Sequence, residues 1–151
     1  MPKHYVYRID HDVNFAPNVD YGVCSLCGCM PTIEANATAG SWIIGIGGNN
    51  TGKRDMMIYA MEVEGNPTYS DFRKRYPRKS EYLQGIADTS TKVLHSRKYY
   101  YFGDNAITLP DHLQHVIFRG RNCKCLSEEA INQLKTHLCN RRLPVWKTRE
   151  T

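Results

Sequence analysis

The sequence predicts a single α+β domain, in which a small, partly closed antiparallel β barrel is surrounded by peripheral helices. The first two-thirds of the chain contain short apolar or alternating runs separated by turn-forming residues, which is typical of strands. The clearest helical pattern extends from Ser127 to about Leu138. A chain of 151 residues is long enough for one domain with its own core. We therefore expect residues 1–151 to form one domain, with 139–151 as a basic C-terminal tail.

Three runs predict the first strands of the barrel. HYVYRI alternates between apolar and polar side chains, whereas SWIIGIGG and MMIYAMEV are largely apolar. The segment GGNNTGKRD between the last two is rich in turn-forming residues, so we expect an antiparallel hairpin. Three later strands are predicted at KVLHS, KYYYFG and HVIFRG.

Two helices are predicted beside these strands. Thr68 or Ser70 can cap a short helix through DFRKRY. This helix must end near Pro77, because proline has no amide hydrogen and disfavours helix at the residue before it. The second helix has Ser127 as its cap and two glutamates in its first turn. We expect its apolar face to cover an end of the barrel; that face consists of Ala130, Ile131, Leu134 and Leu138.

The charge of the chain is unevenly distributed. The formal net charge is +5, and the whole excess lies after residue 118, where eight Lys or Arg face three Glu. A second basic cluster occupies residues 73–79. Clusters of this kind bind phosphates, and they also keep ordinary helix faces solvated; for 73–79 we favour the solvated face. The candidate phosphate-binding residues are Arg119, Arg121, Arg141 and Arg142.

Some functional classes have no support in the sequence. No run approaches the roughly 20 apolar residues of a membrane span, and the first residues lack the apolar core of a signal peptide. We therefore expect a cytoplasmic protein with no membrane partner. The segment GIGGNNTG lacks the Gly-Lys-Ser/Thr ending of a phosphate loop, so hydrolysis of nucleoside triphosphates is not indicated. No cofactor is predicted.

The segment from Asn14 to Gly48 has the composition of a binding site. Its apolar and small residues alternate with polar side chains that are nearly all uncharged. Aromatic rings can stack on a flat ligand, and amides can hydrogen-bond to base edges, so we expect one concave site here. A buried loop over the β core is the alternative interpretation. The candidate ligand-binding residues, which include one later tyrosine, are Asn14, Phe15, Asn18, Tyr21, Cys24, Trp42 and Tyr101.

The six cysteines could be metal ligands, nucleophiles or core residues. Four thiolates drawn from the C-x2-C-x-C group at 24–29 and the C-x-C pair at 123–125 would form a closed zinc site. Such sites usually contain two C-x2-C pairs, and free cysteines often pack as small hydrophobes, so we predict no bound metal. A nucleophilic Cys24 would need a nearby base, which the sequence does not identify. His112 and His115 are interpreted as surface or capping residues.

Several of these motifs resemble a known group of folds, and a wider set resembles one family. AGSWIIGIGG, MMIYAMEV and PTYSDFRKRY resemble the glycine-preceded strand, the hairpin partner and the short helix of PUA-like folds, which include PUA, ASCH and EVE domains. A wider set resembles the nucleotide-modification-associated domain family of the second type, found in prokaryotic and viral systems. This resemblance implies an association with nucleotide or base modification, without implying one reaction. The residues that carry it are NFAPN, YGVCSL, Cys29, Pro31, GSWIIGIGG, IYAMEV and YFGDNAITLP.

Functions of three classes are compatible with this sequence. The first is recognition of a modified or flipped base or nucleotide, with nucleic acid or a free nucleotide as the partner. The second is an enzyme that acts on a nucleotide or base. The third is a structural accessory subunit of a modification complex. Asp20 and Glu34 are the only carboxylates between Asn14 and Gly48, which favours recognition over acid-base catalysis.

Overall fold

The computed structural model describes residues 2–10, 17–27, 30–78 and 91–140 of the chain. Eight strands and three α-helices are formed within these ranges. The strands are β1 (His4–Ile9), β2 (Cys24–Leu26), β3 (Trp42–Gly47), β4 (Met56–Glu62), β5 (Leu94–Ser96), β6 (Tyr99–Tyr101), β7 (Ile107–Thr108) and β8 (Cys123–Leu126). The helices are α1 (Pro31–Asn36), α2 (Tyr69–Arg75) and α3 (Glu128–Asn140).

The main structural element is a six-stranded mixed sheet. Its order is β6-β4-β3-β1-β8, and β7 also pairs with β4. β1 is parallel to β3, whereas the other neighbours in this sheet are antiparallel. β2 and β5 form a separate two-stranded antiparallel sheet.

The α+β class predicted from the sequence is confirmed, but the predicted partly closed barrel is not. The described strands form an open sheet, and no closed barrel is detected among them. The expectation of a purely antiparallel arrangement is also wrong, because β1 and β3 are parallel. Parallel strands need a crossover connection, and here β2 and α1 lie within it.

The predicted hairpin is confirmed. β3 and β4 pair from Trp42 opposite Glu62 to Gly45 opposite Tyr59, and the register then shifts between Gly45 and Ile46. Such a shift marks a β-bulge, which bends a strand locally. The predicted strands at KVLHS and KYYYFG are present as β5 and β6.

The prediction of a strand at HVIFRG is wrong. Asp111–Val116 forms a 3₁₀ helix instead. Its buried residues, Leu113 and Val116, are three positions apart, which matches the three-residue period of that helix. The final strand is β8, which pairs along β1 and places Cys123 opposite Tyr7.

The two helices predicted from the sequence both form, and each has a predicted cap. The Thr68 hydroxyl accepts a hydrogen bond from the Asp71 backbone N–H at the start of α2, which ends at Arg75 just before Tyr76 and Pro77. The Ser127 hydroxyl accepts one from the backbone N–H of the third residue of α3, at 3.1 Å. None of the described helices is long and apolar enough to cross a membrane.

Two hydrophobic cores lie on the two faces of the main sheet. β3 contributes to both, because successive side chains of a strand point to opposite faces. Trp42, Ile44 and Ile46 pack with the apolar residues of α3. Ile43 belongs to the other core, which contains residues of β1, β2, β4 and α1. α3 therefore covers a face of an open sheet, where the sequence predicted that it would cover the end of a barrel.

Candidate functional site

A pocket of about 260 Å³ lies between the loop that precedes β2 and the end of α2. Tyr21 is 46% exposed and is the most accessible large hydrophobic side chain of the described residues. The pocket thus combines two phenol rings with two guanidinium groups and has no carboxylate in its described lining. Its lining residues are Tyr21, Arg75, Tyr76, Pro77 and Arg78.

Each arginine of the pocket lies over one of its rings. The Arg78 Cζ atom is 5.7 Å from the centroid of the Tyr21 ring, and the Arg75 Cζ atom is 5.3 Å from that of Tyr76. Both distances are within the range of cation–π attraction. Neither arginine forms an ion pair with a described residue. Their N–H groups are therefore available to an anionic ligand while the rings hold the guanidinium planes in place.

The loop that carries Tyr21 is fixed by Asn18. The backbones of Asn18 and Ser25 exchange two hydrogen bonds, of 3.0 and 2.8 Å. The Asn18 side chain donates to the Asp20 carboxylate and accepts from the Asp20 backbone N–H, both at 3.2 Å. Asn18 is almost fully buried, so its side chain supports the loop from the interior of the protein. The sequence predicted that Asn14 or Asn18 would contact a base edge. The Asn18 side chain is hydrogen-bonded to Asp20, next to Tyr21, and so helps to position that tyrosine.

Tyr21 has a backbone conformation that is unfavourable for a tyrosine. Its φ is 59°, in the left-handed region, and the following Gly22 has a φ of 69°. A non-glycine residue in this region costs about 1–2 kcal/mol. Strain of this kind occurs often at functional sites, where the surrounding structure enforces it. The conformation leaves the Tyr21 ring exposed at the pocket opening.

The opposite wall of the pocket rests on an aromatic cluster. The Tyr76 ring centroid lies 5.1 Å from that of Phe72 and 5.6 Å from that of His95, and the last two are 5.8 Å apart. Phe72 and His95 are buried. Phe72 also packs with Cys27 and Val93, which anchors α2 to the smaller sheet. Tyr76 is therefore held by packing, as a binding surface requires.

The structure does not bring the other predicted ligand-binding residues to this pocket. Trp42 is only 5% exposed and packs in the core under α3, with the Lys135 Nζ atom 5.2 Å from its ring. Cys24 is completely buried in the opposite core, and the half-buried Tyr101 packs against that same core. The described lining of the Tyr21 pocket does not include Trp42, which packs in the core under α3, whereas the neighbours of Tyr21 in the chain, Val19 and Cys24, belong to the other core. Asn14 and Phe15 lie outside the described residues.

Arg119, one of the predicted phosphate ligands, is engaged in an ion pair. Its Nε and Nη2 atoms donate to the Asp55 carboxylate at 3.3 and 3.1 Å, and Arg8 donates to the same carboxylate at 2.9 Å. Burial tends to raise the pKa of Asp55, but the hydrogen bonds from both arginines hold it below its ordinary value. Arg121 is exposed. Arg141 and Arg142 lie outside the described residues.

The described cysteines occupy different environments. Cys24 and Cys27 are buried in separate clusters, whereas Cys125 and Cys139 are exposed. Burial and the nearby Glu34 raise the pKa of Cys27 to about 12. Within the described ranges, no group of three or more His, Cys, Asp or Glu is arranged to hold a metal ion.

A second depression lies on the surface of α3. It measures about 510 Å³ and is lined by polar side chains only, including His112, His137 and Glu129. His112 and His137 meet edge to face, with centroids 6.4 Å apart. Its only described aromatic rings are these two imidazoles, and its lining contains no arginine or lysine to bind a phosphate.

The sequence interpretation missed Arg75, Tyr76 and Arg78. The charge pattern of the basic run at 73–79 resembles that of many helix ends and by itself predicts a solvated helix face. An aromatic residue and a proline interrupt this run, and aromatic residues among basic ones are typical of nucleic-acid sites. That signal could have identified the pocket.

Comparison with known proteins identifies the family. The family model for nucleotide modification associated domain 2 matches residues 1–87. The chain belongs to this family. The nucleotide modification associated domain therefore includes all five lining residues of the pocket, and the resemblance predicted from the sequence is confirmed.

Comparisons with individual proteins add less. The search of curated proteins finds no match. Among solved structures, that of a mutant ZmASCH protein from Zymomonas mobilis is similar. The two chains are 16% identical, with a TM-score of 0.46, and the alignment covers 91% of this chain and 99% of the other.

Proposed function

We propose that this protein recognises a modified or flipped base, or a nucleotide, in a nucleotide-modification system, and that the ligand binds between Tyr21 and Tyr76. Membership of the family supports the link to modification. The observation that carries the proposal is the presence around one opening of two tyrosine rings and two guanidinium groups that form no ion pair with a described residue. Stacking of a base on an aromatic ring contributes about 1–3 kcal/mol. Arginine binds phosphate oxygens through paired N–H donors.

The size of the pocket favours a single ring system. Its volume of about 260 Å³ is just below the roughly 300–1,000 Å³ typical of sites for drug-sized ligands. A base can enter such a pocket from a single strand or as a free nucleotide, whereas a base in a duplex must first be rotated out of the stack. The exposed Tyr21 ring is suited to receive it, because its accessible area faces the opening.

The chemistry of the lining favours recognition over catalysis. None of the five lining residues is a carboxylate, histidine, cysteine or serine. Histidine and the carboxylates are the usual general acids and bases, so a described lining of tyrosine, arginine and proline is better suited to binding than to acid-base catalysis. An enzyme acting on the same ligand would need its acid or base from elsewhere in the chain.

Titration calorimetry with ordinary and modified nucleotides tests this proposal. Tyr21→Ala should weaken binding by roughly fivefold to more than a hundredfold, because it removes the stacking surface. Tyr21→Phe should bind like the wild-type protein, since phenylalanine keeps the ring. Equal affinities of the wild-type and alanine proteins, or no binding of any nucleotide or oligonucleotide, would refute the proposal.

A further inference from the structure

We infer that the base bound at the Tyr21–Tyr76 pocket belongs to a single-stranded nucleic acid, whose neighbouring phosphates contact Arg73 and Lys74 on the exposed face of α2. This inference rests on the proposed function and specifies the class of its ligand. A free nucleotide would use the pocket alone, whereas a strand would use the pocket and α2 together.

The first observation is a group of positive charges that form no ion pair with any described carboxylate. α2 buries Tyr69 and Phe72 and exposes the basic residues of its last turn. Arg73 and Lys74 are exposed and form no ion pair or hydrogen bond with any residue of the described ranges. With the two pocket arginines, four cations that form no ion pair with a described residue lie within the six residues from 73 to 78.

The basic residues elsewhere in the described structure are of two kinds: some form ion pairs, and others, such as Lys3 and Lys124, are exposed and form none with a described residue. Four of them pair with carboxylates at 2.9–3.9 Å. These paired residues are Arg8, Lys53, Lys98 and Arg119. The cluster at 73–78 is distinguished by its density, because four cations within six residues form no ion pair with a described residue. A dense group of positive charges of this kind is the electrostatic pattern of a phosphate-binding surface.

The helix dipole accounts for only part of this charge. Cations in the last turn of a helix are stabilised by the helix dipole, which is sufficient to explain Arg73 and Lys74 in isolation. Arg78, however, lies after the helix end and after Pro77, where the helix dipole no longer explains its position. The charge continues from the helix to the pocket, so a shared ligand explains both parts.

The arrangement matches the way that proteins bind single strands. Such sites combine a positively charged track for the backbone with aromatic rings on which bases stack. Arg73 and Lys74 lie outside the pocket lining. Phosphates of a base bound at Tyr21 can be reached by the pocket arginines, whereas Arg73 and Lys74 are placed for phosphates of adjoining nucleotides. A continuous duplex does not fit this arrangement, because its bases are not available to the pocket.

Fluorescence anisotropy with labelled DNA and RNA single strands tests the inference. Strands of about eight nucleotides are suitable, since single-strand sites span roughly 4–16 nucleotides. The test variant is Arg73→Gln with Lys74→Gln. The control is Lys3→Gln with Lys124→Gln, which removes the same charge from exposed positions near the β1–β8 edge of the main sheet. Calorimetry with a mononucleotide is carried out on all three proteins.

We expect the α2 variant to lose part of the salt dependence of its affinity for single-stranded nucleic acid, and to keep its affinity for a mononucleotide. The loss of two phosphate contacts should reduce the slope of log affinity against log salt by up to about 1.4. When the salt concentration is raised from about 50 to 200 mM, the affinity of the wild-type protein should therefore fall up to about sevenfold more than the affinity of the variant. The control pair should keep a slope closer to the wild-type value. Mononucleotide affinity should be the same in all three proteins. Binding of either DNA or RNA with this pattern supports the inference.

Two sets of outcomes separate this inference from the proposed function. If a mononucleotide binds as tightly as a strand, if the α2 variant keeps the wild-type slope, or if a perfect duplex binds more tightly than a single strand, the inference is wrong and the proposed function stands. If no nucleotide or strand binds, or if Tyr21→Ala binds like the wild-type protein, the proposed function fails and the inference fails with it. Unchanged thermal transitions of both glutamine variants confirm that their folds are intact.

Discussion

His4 donates a hydrogen bond of 2.6 Å from Nε2 to the Glu128 carboxylate, while its Nδ1 accepts one of 2.9 Å from the Trp42 backbone N–H. Because Nδ1 is an acceptor, the ring proton lies on Nε2, and a neutral imidazole satisfies both partners. The buried His4 thus joins β1 to β3 and to the first turn of α3. The backbone of Trp42 is thus held where β1, β3 and α3 meet, and its side chain packs in the core that includes the apolar residues of α3.

The Glu128 contact predicts a specific pH dependence of stability. The hydrogen bond from His4 is the main reason that the pKa of Glu128 is below its ordinary value. A lowered pKa in the folded state contributes stability above the unfolded value of about 4.3, and this contribution is lost as the pH falls through the folded value. Glu128→Gln should therefore flatten the loss of stability below about pH 5. Urea denaturation at several pH values below and above pH 5 measures the free energy of unfolding of both proteins. The same dependence of this free energy on pH in the wild-type protein and the variant would contradict the prediction.

The local elements of this fold could be predicted, whereas their assembly could not. The β3–β4 hairpin and the caps at Thr68 and Ser127 depend on residues close together in sequence, so turn and capping signals were sufficient. The parallel pairing of β1 with β3 depends on a crossover that alternation patterns do not encode.

The candidate site could be predicted only in part for the same reason. The composition around Tyr21 indicated a binding segment, but its partners Tyr76 and Arg78 come from the end of α2. Trp42 belongs to the same segment and has the same suitable chemistry, yet α3 packs against it. A stacking residue and a core residue look alike in sequence, because their difference is set by distant elements.

The strained backbone of Tyr21 predicts that stability and binding can be separated. Asn adopts left-handed backbone conformations more readily than tyrosine does. Tyr21→Asn should therefore leave the free energy of unfolding unchanged or raise it by up to about 1 kcal/mol, while it removes the stacking ring and weakens ligand binding. Urea denaturation and calorimetry on the same preparation measure both quantities. Tyr21→Phe is the control, since it keeps both strain and ring. A clearly destabilised asparagine variant would show that the ring has a structural role.

Gly45 is predicted to be intolerant of any side chain. It lies between Tyr7 and Tyr59 in the sheet register, and the hydroxyl groups of these two tyrosines are 2.8 Å apart. A Cβ atom at Gly45 would lie 2.4 Å from the Tyr59 ring and 2.6 Å from the Ile9 Cδ1 atom. Gly45→Ala should therefore destabilise the fold by about 1–3 kcal/mol, as overpacked cores do.

Thermal unfolding measures the effect of Gly45→Ala, because 1 kcal/mol lowers the midpoint by about 2–4 °C in proteins of roughly this size. Adding Ile9→Val to the variant removes the Cδ1 contact but leaves the ring contact, so it should restore only part of the loss. An unchanged midpoint in the single variant would show that the Tyr59 ring moves aside at little cost.

Metal removal is predicted to leave the protein intact. The described cysteines are divided between separate clusters and the surface, and no described group of three or more ligand residues surrounds a common point. Purified protein should therefore contain no stoichiometric zinc, and treatment with a chelator should not change its thermal transition. About one zinc ion per chain with a lowered transition after chelation would establish a structural metal site.

Thiol reactivity should follow burial. The thiolate is the reactive form of cysteine, so a thiol whose pKa is raised to about 12 is almost entirely protonated at pH 8. In the native protein, Cys27 and the completely buried Cys24 should resist iodoacetamide at this pH, whereas Cys125 and Cys139 should be alkylated. Peptide mass spectrometry after a time course gives the rate at each position, and the same reaction in denaturant is the control, in which all these cysteines should react. Native alkylation of Cys27 at the rate of Cys125 would mean that the Phe72 cluster opens readily, and the Tyr76 wall of the pocket would then lack the rigid support that its packing implies.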